Sequence, residues 1–399
     1  MRDNSDLLYY CSFLLFFIKE PLLLNLGAVD FGANIIFVFE LLFLVYIIRN
    51  PLFRHVLTSK YSILLGVLVI YHCINYATND VIVFDRKYVM TFRPLIENYI
   101  ILNLSCFLFL RNVPATLKCV YVSYLLYILL TFNIVSIDRM FDNRLTGLIH
   151  ANQFAQCAGM GLLLLAFMKY SLRLSYIKVA FLAVVFIAAI IGSGSRNGFL
   201  LFVFFLAALT LPKLFANSID VQRVIQFFII TGIAVVVIYF VLENTGLGSR
   251  VMKSDIMSQR GDYYIIGWKN FLEHPLLGIG MWNFGPYNHY PYPLHSEYMI
   301  HLCEGGLVGF CIYISFLYLF ISSIIKCLKD NMNVFVIVVL LIFIAYMMVG
   351  VTARELYYPQ FYPPLGLCLY YIIRCKQCTL LQMIKLLENN AFSSMKIGQ

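Results

Sequence analysis

Apolar residues fill stretch after stretch of helical length, from Leu7 to about Ile373, and short polar connections separate them. Stretches of roughly 17–25 such residues cross a bilayer as helices, and on that measure the pattern predicts about twelve spans. They run Leu7 to Leu26, Phe31 to Ile48, Tyr61 to Ala77, Leu95 to Leu110, Thr116 to Ser136, Gln153 to Phe167, Tyr176 to Ile191, Gly198 to Leu211, Ile225 to Leu242, Ile300 to Ile325, Val334 to Gly350 and Phe361 to Ile373. A membrane barrel would instead alternate apolar and polar residues in short strands. The expected fold class is therefore all-α, a polytopic integral membrane protein. The first run lacks a small-residue cleavage site and carries Lys19, Glu20 and Pro21, so it reads as a retained helix and not a signal peptide.

The connections set an orientation. With a cytoplasmic N-terminus, alternate connections hold Arg49, Arg54, Lys60, Arg111, Lys118, Lys169, Arg173, Lys178, Lys213 and Arg223, and the C-terminal tail adds Arg374, Lys376, Lys385 and Lys396. Cytoplasmic loops of membrane proteins are enriched in Lys and Arg, so both termini are expected in the cytoplasm. The chain then divides into 1–242 with the first nine helices, a long outer loop over 243–300, and 301–399 with the last three helices and the tail. The outer loop lacks disulfides and is too short for an independent core, so it should rest on the helix ends. Within it, Ile265, Ile266, Trp268, Phe271 and Leu272 fall near helical spacing between Asp262 and Glu273, which predicts an interfacial helix ended by Pro275.

Composition agrees with a lipid environment: 61% of the 399 residues are hydrophobic and 12% are charged, about half the charged share of soluble domains. The net charge of +9 belongs to topology and not to nucleic-acid binding. The 11 Cys are scattered singly, apart from Cys375-Lys-Gln-Cys378 in the basic tail, which has no second ligand pair. Neither disulfides nor a metal site is expected.

Ionisable groups at the outer helix ends are the candidates for chemistry, because their desolvation is costly near hydrocarbon. Arg196 stands in the tight turn Ile191-Gly-Ser-Gly-Ser-Arg-Asn-Gly-Phe-Leu200, beside Asn197. A guanidinium at a helix start binds phosphate well, and an outer Arg runs against the positive-inside bias, although it also suits a simple hairpin. Arg260 opens the interfacial helix, where it reaches a second phosphate oxygen or pairs with Asp262. His295, in Tyr292-Pro-Leu-His-Ser-Glu-Tyr298, sits where the loop re-enters the membrane, and its imidazole can take a proton near neutral pH with Glu297 or Ser296 as an orienting partner. A structural His is the competing account. His301 is six residues on, off the face His295 occupies. Arg354 and Glu355 are a further phosphate contact or a local ion pair. Tyr264 and Trp268 belong to a group of loop aromatics that suits sugar stacking, although an interfacial belt is the commoner reason for such a group.

The succession of Arg196-Asn-Gly-Phe-Leu200, then Arg260 with Gly267-Trp-Lys-Asn-Phe-Leu-Glu-His-Pro-Leu-Leu-Gly-Ile-Gly280, then His295-Ser-Glu-Tyr and Glu304-Gly-Gly-Leu-Val-Gly309 resembles the bacterial O-antigen ligase and O-antigen polymerase (Wzy-like) superfamily. Arg144-Leu-Thr-Gly147 with Asn152 extends the likeness, which covers about Arg144 to Phe310. Ligases of the superfamily commonly have Asn after the loop His; Ser296 stands here, and His-Ser-Glu-Tyr looks more like the polymerases.

The resemblance implies a metal-independent, inverting glycosyltransferase of the multi-spanning, GT-C-like type, with no cofactor. Its donor and acceptor would be oligosaccharides linked to undecaprenyl diphosphate, met at the periplasmic face of the bacterial inner membrane during lipopolysaccharide biosynthesis. His295, Arg196 and Arg260 would be catalytic. Arg354, Glu297, Asn197, Tyr264 and Trp268 would contact diphosphate or sugar. Membrane lipids surround the protein, and a chain-length regulator is an admissible partner. Polymerase activity is the expected function and transfer to lipid A-core the alternative. A flippase or transporter is a third reading, weakened by the absence of internal repeats and by charges gathered on one face.

Overall fold

The computed structural model describes residues 4–27, 29–78, 92–132, 136–138, 144–146, 151–215, 258–289, 294–353 and 358–376. The expected helix 225–242, Arg354 and Glu355, Tyr290 and Tyr292, and the tail with Cys378 lie outside the described residues, as does the side chain of Arg260.

The chain forms α1 (Asn4–Asn25), α2 (Val29–Ile47), α3 (Pro51–Leu57), α4 (Lys60–Thr78), α5 (Phe92–Arg111) and α6 (Val113–Phe132). A short antiparallel ribbon follows, β1 (Ser136–Asp138) against β2 (Arg144–Thr146) with Ile137 opposite Leu145. Then come α7 (Ala151–Ser171), α8 (Tyr176–Ser193), α9 (Arg196–Phe215), α10 (Ser258–Glu273), α11 (Phe284–Asn288), α12 (Glu297–Cys303), α13 (Gly306–Asp330) and α14 (Val334–Gly350). A 3-10 turn at Pro359–Phe361 leads into a last helix, α15, over 362–376. Apart from the ribbon and short turns, the described residues are helical, and the apolar runs among them land on helices within a few residues of their expected limits.

The span count is met in part, and one expected helix changes. Seven helices among the described residues are long and apolar enough to cross a membrane, or up to 8 if Gly32–Ile47 and Pro51–Leu57, bent by 111°, form one span. This agrees with a polytopic membrane protein; of the other expected spans, 225–242 lies outside the described residues and the rest are shorter helices among them. Arg196–Pro212 and Val334–Gly350 are shorter apolar helices, the first being the part of α9 up to Pro212, which the helix carries in its interior. The expected helix from Ile300 to Ile325 is also broken. It divides at Glu304 and Gly305 because Gly306 adopts φ +62° and the chain turns there to bond the outer loop.

The centre of the bundle is α7, whose apolar window is 94% buried. Its small residues permit this: a Cβ at Gly159 would stand 2.4 Å from Leu201, and one at Gly198 would stand 2.7 Å from Ala155. The start of α9 is thereby held tightly against the start of α7, and small residues in membrane helices allow such close approach where hydrophobic burial alone gives no drive. Exposed Ile35, Val38, Leu42, Ile177, Phe181 and Val184 on α2 and α8 are the outward, lipid-suited surface of the same bundle.

Candidate functional site

The turn before Arg196 is closed by its own serines. Gly194 ends α8 with φ +58°, the Ser193 hydroxyl donates to Ile190 O at 2.7 Å, and it accepts from Ser195 N at 3.2 Å. Ser195 donates in turn to Asn152 Oδ1 at the start of α7, at 3.0 Å. With the turn's polar groups engaged inward, Arg196 is left exposed in the first turn of α9, where the helix N-terminus adds its favourable field for an anion.

The other end of the arrangement is the short turn after α14. Val351 O accepts from Tyr264 Oη at 3.2 Å, Thr352 Oγ1 donates to Asn197 Oδ1 at 2.7 Å, and Ala353 O accepts from Glu297 N at 3.0 Å. Three consecutive residues thus tie together the Arg196–Asn197 turn, the interfacial helix α10 and the His295 segment. Arg354 is the next residue in the chain. His295 is half-buried, two residues before the backbone amide that this turn holds. Ser296 caps α12, accepting from Met299 N at 3.5 Å, so the residue after the His sets the direction of the helix entry.

The Trp268 side chain and the Glu297 carboxylate are placed apart from this group. Trp268 is 49% exposed and shares an outward apolar stripe with Ile265 and Leu272, as an interfacial helix requires. The helix itself runs Ser258–Glu273 and stops two residues before Pro275, in line with the sequence pattern. The Glu297 carboxylate is fully buried, with Oε1 3.0 Å from His301 Nε2, so it faces inward to His301 where the sequence offered it as a partner of His295. His301 Nδ1 is 2.9 Å from His72 Nε2, and the His301 ring stacks on Tyr313 at 4.2 Å. Burial pushes the His301 imidazole down to about 3, so it is neutral at ordinary pH.

Beneath the site, the motif glycines explain themselves. The stretch 275–284 lies along 303–308: Ile279 N donates to Cys303 O and Gly280 N to Glu304 O, both at 3.0 Å, and Leu307 N donates to Pro275 O at 2.8 Å. The buried Glu304 carboxylate accepts from Trp282 N at 3.0 Å and from Phe284 N at 3.2 Å. A Cβ at Gly278 or Gly306, both with positive φ, would meet facing backbone atoms at 2.6 and 2.4 Å. From α4, Tyr71 Oη donates to Gly305 O and Asn75 Nδ2 to Leu277 O, each at 2.5 Å. Sequence reasoning passed over these α4 residues. Their signal was three polar groups, Tyr71, His72 and Asn75, within one turn or so of an otherwise apolar span.

A protein-family model described as O-antigen ligase matches residues 181–314. The match covers about a third of the chain, and this segment is similar to that family. It runs from α8 into α13 and takes in Arg196, the interfacial helix, His295 and the Glu304 glycine turn, the residues on which the superfamily resemblance rests. Family members are glycosyltransferase-like enzymes of lipopolysaccharide biosynthesis that use lipid-linked oligosaccharides at the membrane. No curated protein matches the chain significantly. Outside the matched segment, α4 and the 351–353 turn supply the bonds that hold the family motifs together.

Proposed function

We propose that the protein is an O-antigen polymerase of the bacterial inner membrane, working at the periplasmic face with both termini in the cytoplasm. The observation that carries this reading is the gathering of Arg196–Asn197, Tyr264 and the His295 segment on the three residues Val351, Thr352 and Ala353. A hydroxyl at the non-reducing end of one lipid-linked repeat unit attacks the anomeric carbon of a second glycan. The bond from that carbon to the diphosphate breaks, undecaprenyl diphosphate leaves with the electron pair, and the hydroxyl proton passes to His295. Attack opposite the leaving group inverts the anomeric centre.

The greatest need is to stabilise charge building on the diphosphate. Arg196 and Arg260 supply it as bidentate donors, Arg196 with the N-terminal field of α9 behind it, and no metal or cofactor enters the scheme. Arg354, Asn197 and Tyr264 are assigned to diphosphate and sugar contacts, with Trp268 at the lipid boundary. Glu297 acts from below, through the backbone amide held by Ala353 and its carboxylate beside His301.

A ligase that delivers the glycan to lipid A-core is the second reading, favoured by the description of the matching family. Ser296 after His295 favours the polymerase. Purified protein in lipid, supplied with undecaprenyl-diphosphate-linked repeat units alone, tests the choice: a polymerase lengthens glycan, and a ligase without lipid A-core does not.

A further inference from the structure

A second polar site lies at the same end of the bundle, in helices the family match does not reach. It is a cavity of about 250 Å³ whose lining includes Lys19 and Glu20 of α1, Arg93 and Glu97 of α5, Gln153 of α7 and Tyr358. Lys19 and Glu20 fall in the last two turns of α1, Arg93 and Glu97 in the first two of α5, and Gln153 in the first of α7. Gln153 follows Asn152, the residue bonded to Ser195 beside Arg196. The cavity therefore lies at the end of the bundle that carries the Arg196 turn.

Its electrostatics exclude an anion. Lys19 is held by Glu40 at 2.7 Å and Glu97 at 2.6 Å, and Arg93 by Glu97 at 3.1 Å, so both cations are already neutralised. Glu20 differs from these. One oxygen accepts from Gln153 Nε2 at 2.9 Å and Tyr127 Oη at 3.1 Å, while the other takes no hydrogen bond among the described residues and the side chain is exposed. A carboxylate kept accessible near the end of a membrane helix, braced on one side by two donors, is arranged to accept hydroxyl protons from a ligand. Phe16, Phe17 and Tyr358 add apolar and aromatic surface beside it. Hydroxyl acceptors next to aromatic surface, with no net positive charge, suit a neutral sugar ring. The volume, just below the roughly 300–1,000 Å³ of ordinary small-molecule pockets, suits about one ring and not a chain.

We infer that this cavity is the subsite for the terminal sugar of the acceptor, with Glu20 as its principal hydroxyl ligand; the acceptor role rests on the glycosyl-transfer reading above, whereas sugar binding does not.

The test uses two variants of the full-length protein in lipid nanodiscs. Glu20→Gln removes the charged acceptor and keeps the shape. Ala33→Phe fills the cavity from α2 without touching any charge and serves if the first variant fails to accumulate. With carrier-linked glycan of several repeat units as donor and a single lipid-linked repeat unit as acceptor, each should raise the acceptor KM at least tenfold and leave the donor KM within about twofold. Binding of the free, carrier-less repeat-unit oligosaccharide, followed by saturation-transfer NMR, should be lost in Ala33→Phe. If the wild type transfers nothing but binds this oligosaccharide in an Ala33-sensitive way, the site stands and the polymerase reading falls. If transfer proceeds and acceptor KM and oligosaccharide binding are unmoved in the variants, the subsite is wrong and the polymerase reading stands.

Discussion

His72 of α4 and His301 of α12 lie ring against ring, Nε2 of the first 2.9 Å from Nδ1 of the second, and both are fully buried. On the far side of the His301 ring, Glu297 Oε1 lies 3.0 Å from Nε2. The facing nitrogens of His72 and His301 share one proton, one ring donating it and the other accepting. This row fastens the segment after His295 to a helix more than two hundred residues earlier in the chain.

A pH dependence follows from that burial. His301 is held down to about 3 against an ordinary 6.5, so the unfolded chain takes up a proton that the native protein refuses. Its contribution is complete above pH 6.5 and is lost as the pH falls from 6.5 toward 3, by at most about 1.4 kcal/mol per pH unit. Thermal unfolding of the detergent-solubilised protein should fall more steeply between pH 7 and pH 5 for wild type than for His301→Gln. Parallel slopes would show that His301 is not kept neutral in the native state.

Glu304 offers a test of the loop support. Glu304→Gln keeps the size of the side chain but replaces a charged acceptor for Trp282 N and Phe284 N with a neutral one that also carries an NH₂ group. A hydrogen bond to a charged group contributes about 1.5–3 kcal/mol, so a loss of one to a few kcal/mol is expected, read as faster protease cleavage between 274 and 296. Cleavage at the wild-type rate would count against the carboxylate as the anchor of this stretch.

Most of the helices were legible in the sequence because lipid leaves the backbone no alternative, and long Leu, Ile and Phe runs are needed to cross it. The break at Gly306 was not. Glu304-Gly-Gly interrupts an apolar run too briefly to end a helix by composition, and the reason for the turn lies in Pro275 and Leu276, thirty residues away. Arg196, Tyr264 and His295 were legible as separate motifs, but the turn at Val351 to Ala353 that ties their segments has an ordinary sequence and acts mainly through its carbonyls. Lys19 and Glu20 interrupt the apolar run of α1 near its end, and the sequence pattern gives no reason for them. They are the groups that line its cavity.

The arginine assignments predict a loss of function without loss of protein. Arg196→Ala and Arg260→Ala should each cut transfer by ~10²–10³-fold, the usual effect of deleting a charge-stabilising donor, and abolish polymer in cells while membrane levels hold. Lys at either position should rescue poorly, since an ammonium lacks the guanidinium fork. Normal polymer from an Ala variant would remove that residue from the diphosphate site.

Orientation is tested by reporters fused within the chain. One after Tyr287 should read as periplasmic and one after Lys376 as cytoplasmic, following the distribution of basic residues. A cytoplasmic signal at Tyr287 would put the Arg196 and His295 end of the bundle on the side away from translocated donors, and the transfer scheme would have to be rebuilt.

Surface lipopolysaccharide separates polymerase from ligase. In a cell with intact core and a separate ligase, deleting this protein should leave core capped by a single repeat unit, because ligation continues without polymerisation. Loss of a ligase leaves bare core and builds up polymer on the lipid carrier instead. Gel profiles therefore distinguish the two, and bare core with carrier-linked polymer would make the ligase reading the correct one. His295→Ala should reproduce the deletion in either case, since the hydroxyl proton has lost its acceptor whichever molecule supplies the hydroxyl. Near-normal transfer by His295→Ala would confine the chemistry to charge stabilisation by the arginines, with solvent taking the proton.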